Sequence, residues 1–352
     1  FWEAIKYTSY SMPVRIAARD LHGIEDINGT TWKELNRKIK DTDRPGVRQE
    51  ILHRRAGIDL IILDKIVWVD STSEAGPPSG TVMVKRFDDY TLDDNFVQPS
   101  PLDILAIQKR YGVELRTLDD FLLALDMAFQ RIRDKGYYVG LKSAIAYDRG
   151  IEFRDTSREE AERLFVQLKE HTLPHSERRP FEDFMMHQVV RRAGENRMPM
   201  QFHTGAQLGP GNDITNTRPA LLLNLFQKYP QTKFVIFHGA FPYMGELTAI
   251  LKNYSNVYLD MCLMPVFSMS ATREWLNRWL ETVPVTKINV FGGDSMFLEG
   301  AYGHSVMARR IVAEVLTDKV EEGYLIEDEA VKIARMILRE NAIEIYGLRR
   351  FL

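Results

Sequence analysis

Three segments in the C-terminal half of the chain are built alike, and they restrict the possible fold more than any other feature. They are Met198-Pro-Met-Gln-Phe-His203-Thr-Gly, Lys233-Phe-Val-Ile-Phe-His238-Gly-Ala and Ile288-Asn-Val-Phe-Gly-Gly-Asp294-Ser. Each is an apolar run that ends on a residue able to bind metal, followed by small residues. Runs that are apolar at consecutive positions belong to strands covered on both faces, as in parallel sheets flanked by helices. In such α/β folds, functional groups gather at the C-terminal strand ends, where the backbone turns into loops. One His or Asp at a strand end is commonly a hydrogen-bonded loop residue, whereas three in series point to a shared metal site. Imidazole and carboxylate are the donors that zinc, manganese or iron(II) accept. Glycine after His238 and before Asp294 lets the backbone bend away from a bound group.

Strand and helix signals alternate from residue 137 onward. Strands are expected at Tyr137–Ala146, Met198–His203, Phe234–His238, Val257–Asp260 and Lys287–Phe291. Between them fall helical patterns at Ser157–His171, Pro180–Ala193, Pro219–Tyr229, Tyr243–Asn253 and Ala271–Glu281. Two further strands are expected upstream: one after the helix end and glycine stop in His53-Arg-Arg-Ala-Gly-Ile-Asp-Leu-Ile-Ile-Leu63, and one in Gly80-Thr-Val-Met-Val-Lys-Arg86, giving seven. The βα period implies a parallel sheet with helices outside it. An α/β (β/α)8 TIM barrel would be one strand short. Phe1–Lys40 offers no leading strand, so the first strand is expected to precede Phe1. Residues 88–135 read as a helical insertion, with helices at Pro101–Tyr111 and Leu118–Arg133, expected to cap the barrel mouth. Residues 301–352 read as C-terminal helices, and the whole of 1–352 as one barrel domain. Ser71–Gly80, rich in Gly, Pro and Ser, is expected to be a mobile loop.

Composition excludes several function classes. With 46 Lys+Arg against 49 Asp+Glu, no bulk charge favours nucleic acid or an anionic membrane. No apolar stretch approaches the roughly 20 residues that span a bilayer. The single cysteine, Cys262, rules out an intramolecular disulfide, suits a reducing, cytoplasmic compartment, and reads as a buried inert thiol. A small-molecule substrate is the expected partner, and self-association into a homo-oligomer is left open.

The set of strand-end residues resembles the amidohydrolase superfamily, in particular its amidohydrolase-related (amidohydrolase 2) branch. The stretches that carry the likeness are Gly140-Leu-Lys-Ser-Ala-Ile-Ala-Tyr-Asp-Arg149, Gln201-Phe-His-Thr-Gly205, Phe237-His-Gly-Ala-Phe-Pro-Tyr-Met-Gly-Glu246, Gly292-Gly-Asp-Ser295 and Asn341-Ala-Ile-Glu-Ile-Tyr-Gly347. The resemblance implies a metal-dependent hydrolase acting on C–N or C–O bonds, with one or two divalent ions, zinc first and manganese or iron as alternatives. It implies that His203, His238 and Asp294 bind metal or hold substrate beside it. Asp294 would be the general base and His238 a donor to the developing oxyanion. Lys142, at the end of its strand, is where binuclear members carry a carboxylated lysine that bridges two ions. The alternative is an ammonium that pairs with a carboxylate or anchors an anionic substrate. The superfamily's His-x-His at the end of strand 1 has no counterpart in this sequence.

Arg86, Tyr147, Arg149, Gln201 and Tyr243 fall near the inferred mouth and are expected to bind substrate, the arginines through a carboxylate. Arg218 falls there too. Two other readings stay open: non-oxidative decarboxylation by the same metal site, and a non-catalytic barrel serving as a binding module. His171 and His175 have the spacing of a helical metal pair, but Pro174 between them breaks the helix.

Overall fold

The computed structural model describes residues 1–64, 76–88 and 94–352. Most of the strands are buried almost throughout, and this is why they pair in parallel. They are β1 (Ile61–Asp64), β2 (Thr81–Lys85), β3 (Tyr138–Ser143), β4 (Met200–Phe202), β5 (Phe234–Ile236), β6 (Val257–Asp260) and β7 (Ile288–Asn289). The sheet order is β1-β2-β3-β4-β5-β6-β7, the order of the chain itself. Registers fix which residues stand side by side: Lys142 opposite Gln201, and Gln201 opposite Val235. All seven strands expected from sequence are present, each within a few residues of its expected bounds. Part of the expected loop at Ser71–Gly80 lies outside the described residues.

By internal packing the chain divides into two compact units. One comprises Ile61–Tyr258 and Ile345–Leu348; the other comprises Phe1–Leu60, Leu259–Glu344 and Arg349–Leu352. In the first, residues 101–135 contribute two helices, Pro101–Tyr111 and Leu118–Lys135, started by reciprocal capping boxes of Ser100 with Asp103 and Thr117 with Asp120. The second helix corrects the expectation of a cap. It is the crossover from β2 to its parallel neighbour β3, a connection that parallel pairing requires. Its Phe121 packs against Phe96, Phe165 and Phe181 in a buried aromatic cluster.

The helix expected to begin at Pro180 begins instead at His175, with Pro174 at its N-cap, and runs to Glu195. Pro180 removes one backbone bond, but Phe181, Met185, Val189 and Ala193 are buried along the helix, and that packing carries it through the proline. In the second unit the helices Met12–His22 and Leu298–Glu321 touch closely. A Cβ on Gly303 would lie 2.0 Å from the Pro13 carbonyl oxygen, so only glycine allows this approach. No helix among the described residues is long and apolar enough to cross a membrane.

His187, buried in the helix His175–Glu195, is held neutral. Burial first, then the Lys228 charge, lowers its pKa. Its Nε2–H donates to the Phe153 carbonyl at 3.1 Å, and Nδ1 accepts from the Tyr229 hydroxyl at 2.9 Å. A folded-state pKa below the unfolded value means that stability is full above about 6.5 and is lost as pH falls toward the folded value. Urea denaturation between pH 7.5 and 5.5 should show falling stability, with a shallower slope in His187→Gln. An unchanged slope in that variant would remove His187 as a source of acid sensitivity.

Candidate active site

His203 follows β4 directly, and its backbone N–H donates to the Ser143 carbonyl at the end of β3, 3.0 Å away. Thr204 and Gly205 then turn the chain. Gly205 has φ +71°, and a Cβ there would come within 2.3 Å of the Phe241 carbonyl oxygen. β5 ends more abruptly. His238, Gly239 and Ala240 take φ values of 63°, 56° and 51°, and left-handed backbone at a non-glycine residue is strained. This turn carries the His238 ring across to His203.

The two imidazoles are buried and face each other edge to face, with ring centroids 4.5 Å apart. His203 Nε2 lies 3.1 Å from the Ala206 carbonyl oxygen, which can only accept, so this nitrogen carries the proton. Nδ1 of a neutral His203 therefore presents a lone pair, and it lies 3.1 Å from His238 Nε2. Burial, then His238, then the Lys142 charge hold the His203 pKa well below its ordinary value. Neutral imidazole is the metal-binding form. With Zn–N bonds of about 2.0–2.1 Å in tetrahedral geometry, two ligand nitrogens stand roughly 3.3–3.4 Å apart. The facing nitrogens already have nearly that separation, so the pair fits a divalent ion.

Positive charge surrounds the pair. The Lys142 Nζ lies 3.5 Å above the centroid of the Phe237 ring, the residue before His238, and the lysine is only 5% exposed. Arg86, just past β2, forks onto Asp64 at the end of β1, with Nε 2.9 Å from Oδ1 and an amino group on Oδ2. Tyr147 packs its ring 4.7 Å from His203. Its hydroxyl accepts from the Leu208 N–H at 3.3 Å, while Gln207 donates to the Ala146 carbonyl at 2.7 Å, so the loops after β3 and β4 are tied together.

The other expected substrate-binding residues are held in different settings. Gln201 donates to the Tyr346 hydroxyl at 2.8 Å. Tyr243 donates to the Ile214 carbonyl at 3.2 Å, and Arg218, paired with Glu246, lies over its ring. Arg149 bonds Glu182 at 2.9 Å and Asp183 at 2.5 Å, along with the Gly150 and Glu152 carbonyls, all deep in the protein. In the other unit, Asp294 lies on the loop beyond β7, exposed and with φ 38°. A carboxylate oxygen of Asp294 is within 4.8 Å of Cys262 Sγ. A Cβ on Gly292 would fall 2.8 Å from that sulfur, so glycine makes room for it.

Asp64 escapes the reading of the sequence, and Cys262 reads there only as a buried inert thiol. Asp64 ends the apolar run Ile61-Ile-Leu, the same pattern that singled out His203, and the rule fails there only if the strand is ended one residue early. Cys262 next to Asp294 has no signal in the linear chain, because 32 positions separate them.

Residues 119–348 match the amidohydrolase family model. The chain belongs to the amidohydrolase family. Among curated proteins, fluG of Emericella nidulans is 30% identical over 224 residues, 60% of this chain and 26% of its own length. This amidohydrolase thus spans about a quarter of that relative. Among solved structures, uronate isomerase from Thermotoga maritima has a TM-score of 0.78 at 16% identity, over 98% of this chain and 80% of that one. Glucuronate isomerase from Caulobacter crescentus has a TM-score of 0.75 at 17% identity, over 99% and 77%. At such identities the likeness speaks for the fold, an α/β architecture of the TIM-barrel type, with seven parallel strands among the described residues.

The Arg149 ion pairs give a direct test of that residue's role. Arg149→Met leaves Asp183 buried without its paired guanidinium and Glu182 with Arg178 as its remaining guanidinium partner, and should destabilise the amidohydrolase by about 3–5 kcal/mol in urea denaturation. Loss of substrate affinity at undiminished stability would return Arg149 to the substrate site.

Proposed function

We propose that this chain is a metal-dependent hydrolase of a small, carboxylate-bearing molecule, with His203, His238 and Asp294 as the protein ligands of a divalent ion. The observation that carries the reading is the facing pair of buried ring nitrogens, 3.1 Å apart, with burial and nearby charge disfavouring the protonated form of His203. Family membership supports it, as does the place of Asp294 on the loop that follows β7. A bound divalent ion would supply Lewis acidity, polarising the scissile carbonyl and making water acidic enough to lose a proton near neutral pH.

The remaining steps fall to side chains. Asp294 takes the proton from the attacking water and returns it to the leaving nitrogen or oxygen, the work of a general acid/base. The Ala206 carbonyl fixes the tautomer of His203, so its Nδ1 stays a donor of electrons and never of a proton. The place of Lys142 over the Phe237 face favours an ammonium over a carbamate, because a ring face attracts a cation and repels an anion. Lys142 then binds the substrate carboxylate, with Arg86 adding to the local positive field.

Elemental analysis of the purified chain should find divalent metal, and His203→Ala and His238→Ala should each lose most of it. Asp294→Asn should keep much of the metal yet lose roughly 10²-fold or more in kcat on any amide or ester substrate found in a screen of small carboxylates. Lys142→Met should raise KM with a smaller change in kcat. Full metal content in both histidine variants would end the metal assignment. Release of CO2 in place of a hydrolytic product would end the hydrolase assignment.

A further inference from the structure

Away from the imidazole pair, the unit that contains β1 to β5 holds a cavity. Its volume is about 380 Å³, and Gln98, Ser100, Leu102, Asp103, Asp148 and Arg178 line it. Gln98 is only 4% exposed. Asn95 clamps its backbone on both sides, accepting from the Gln98 N–H at 3.0 Å and donating to the Gln98 carbonyl at 2.7 Å. Its side-chain oxygen is nevertheless buried with no hydrogen-bond partner among the described residues. A buried amide oxygen left unpaired is costly, and in a polar-walled cavity it marks a position that a ligand donor can fill.

Arg178 stands on the helix His175–Glu195 and is anchored at its Nε by the fully buried Glu182, 2.8 Å away. Its two terminal amino groups have no hydrogen bond to the described residues, which leaves them available to a carboxylate. Against this single guanidinium the wall sets two carboxylates, Asp148 and Asp103. One Asp103 oxygen is committed to Ser100, whose hydroxyl lies 2.7 Å from it. A plain anion entering here would meet the two carboxylates, and a plain cation would face Arg178. A molecule with one charge of each sign satisfies both. Leu102, 77% exposed, offers an apolar surface at the rim.

We propose that this cavity binds a free α-amino acid. The ligand carboxylate pairs with Arg178, and its ammonium is shared by the Gln98 oxygen and the acidic wall. Its side chain lies along Leu102. Asp148 directly follows Tyr147, which packs on His203, so the cavity adjoins the loop that packs against the imidazole pair without using its nitrogens. The assignment is independent of the metal reading.

Calorimetric titration of the full chain with each of the twenty protein amino acids tests it. At least one should bind saturably. Its hydroxy-acid analogue, which lacks the ammonium, and its decarboxylated amine should each bind about 10- to 100-fold more weakly. Arg178→Gln should weaken binding by a similar factor. Asp148→Asn should weaken it too, and at an exposed position this variant keeps the test valid if Arg178→Gln folds poorly. His203→Ala should leave binding intact. The proposal is overturned if no amino acid binds at tens of millimolar, if the hydroxy acid binds as well as the amino acid, or if Asp148→Asn has no effect. Loss of binding in His203→Ala would assign the ligand to the imidazole pair and overturn a separate site.

Discussion

Parallel pairing of strands too apolar to meet water on either face is the constraint on which the rest of this structure depends. Such strands leave their side chains no solvent-facing side, so helices cover the outer face, strand side chains pack the inner one, and successive strands are joined by crossovers. All strands then point the same way, and their C-terminal ends lie on a common side. The bond from the His203 N–H to the Ser143 carbonyl continues the β3–β4 ladder one residue past the strand, holding His203 in register with its neighbour. The position of the functional group is thus a by-product of the pairing that buries the core.

The backbone is bent most sharply where the chemistry is richest. Three consecutive left-handed residues after β5 and a crowded glycine after β4 are unfavourable taken alone. They persist because the buried strands on one side and the helix Met244–Asn253 on the other fix both ends of the turn. The outcome is an imidazole pair that meets in the interior, with its tautomer set by a main-chain carbonyl. Such pre-organisation means that a ligand has little rearrangement to drive.

Electrostatics divides the basic residues into two groups. Arg149 serves the fold: its donors are matched to Glu182, Asp183 and two carbonyls, and a buried guanidinium needs such matching. Lys142 and Arg86 stand near the histidines and lower the tendency of His203 to take up a proton. Sequence position does not distinguish these groups, since all three residues occur at or just beyond the ends of strands.

The amino-acid sequence by itself determined the seven strands, the parallel α/β class, the place of His203 directly after its strand, and the family. These are legible because an apolar run followed by glycine or a polar ligand is a local pattern, and burial on both faces is written into its composition. The tertiary structure alone decided what each side chain meets. It turned Arg149 into a structural ion-pair residue, made Leu118–Lys135 a crossover and not a cap, set Lys142 on the Phe237 ring, and brought Cys262 beside Asp294. Nothing in the linear chain encodes those pairings locally. They arise only when segments tens of residues apart are packed together, and the free energy that selects them is that of the assembled interior.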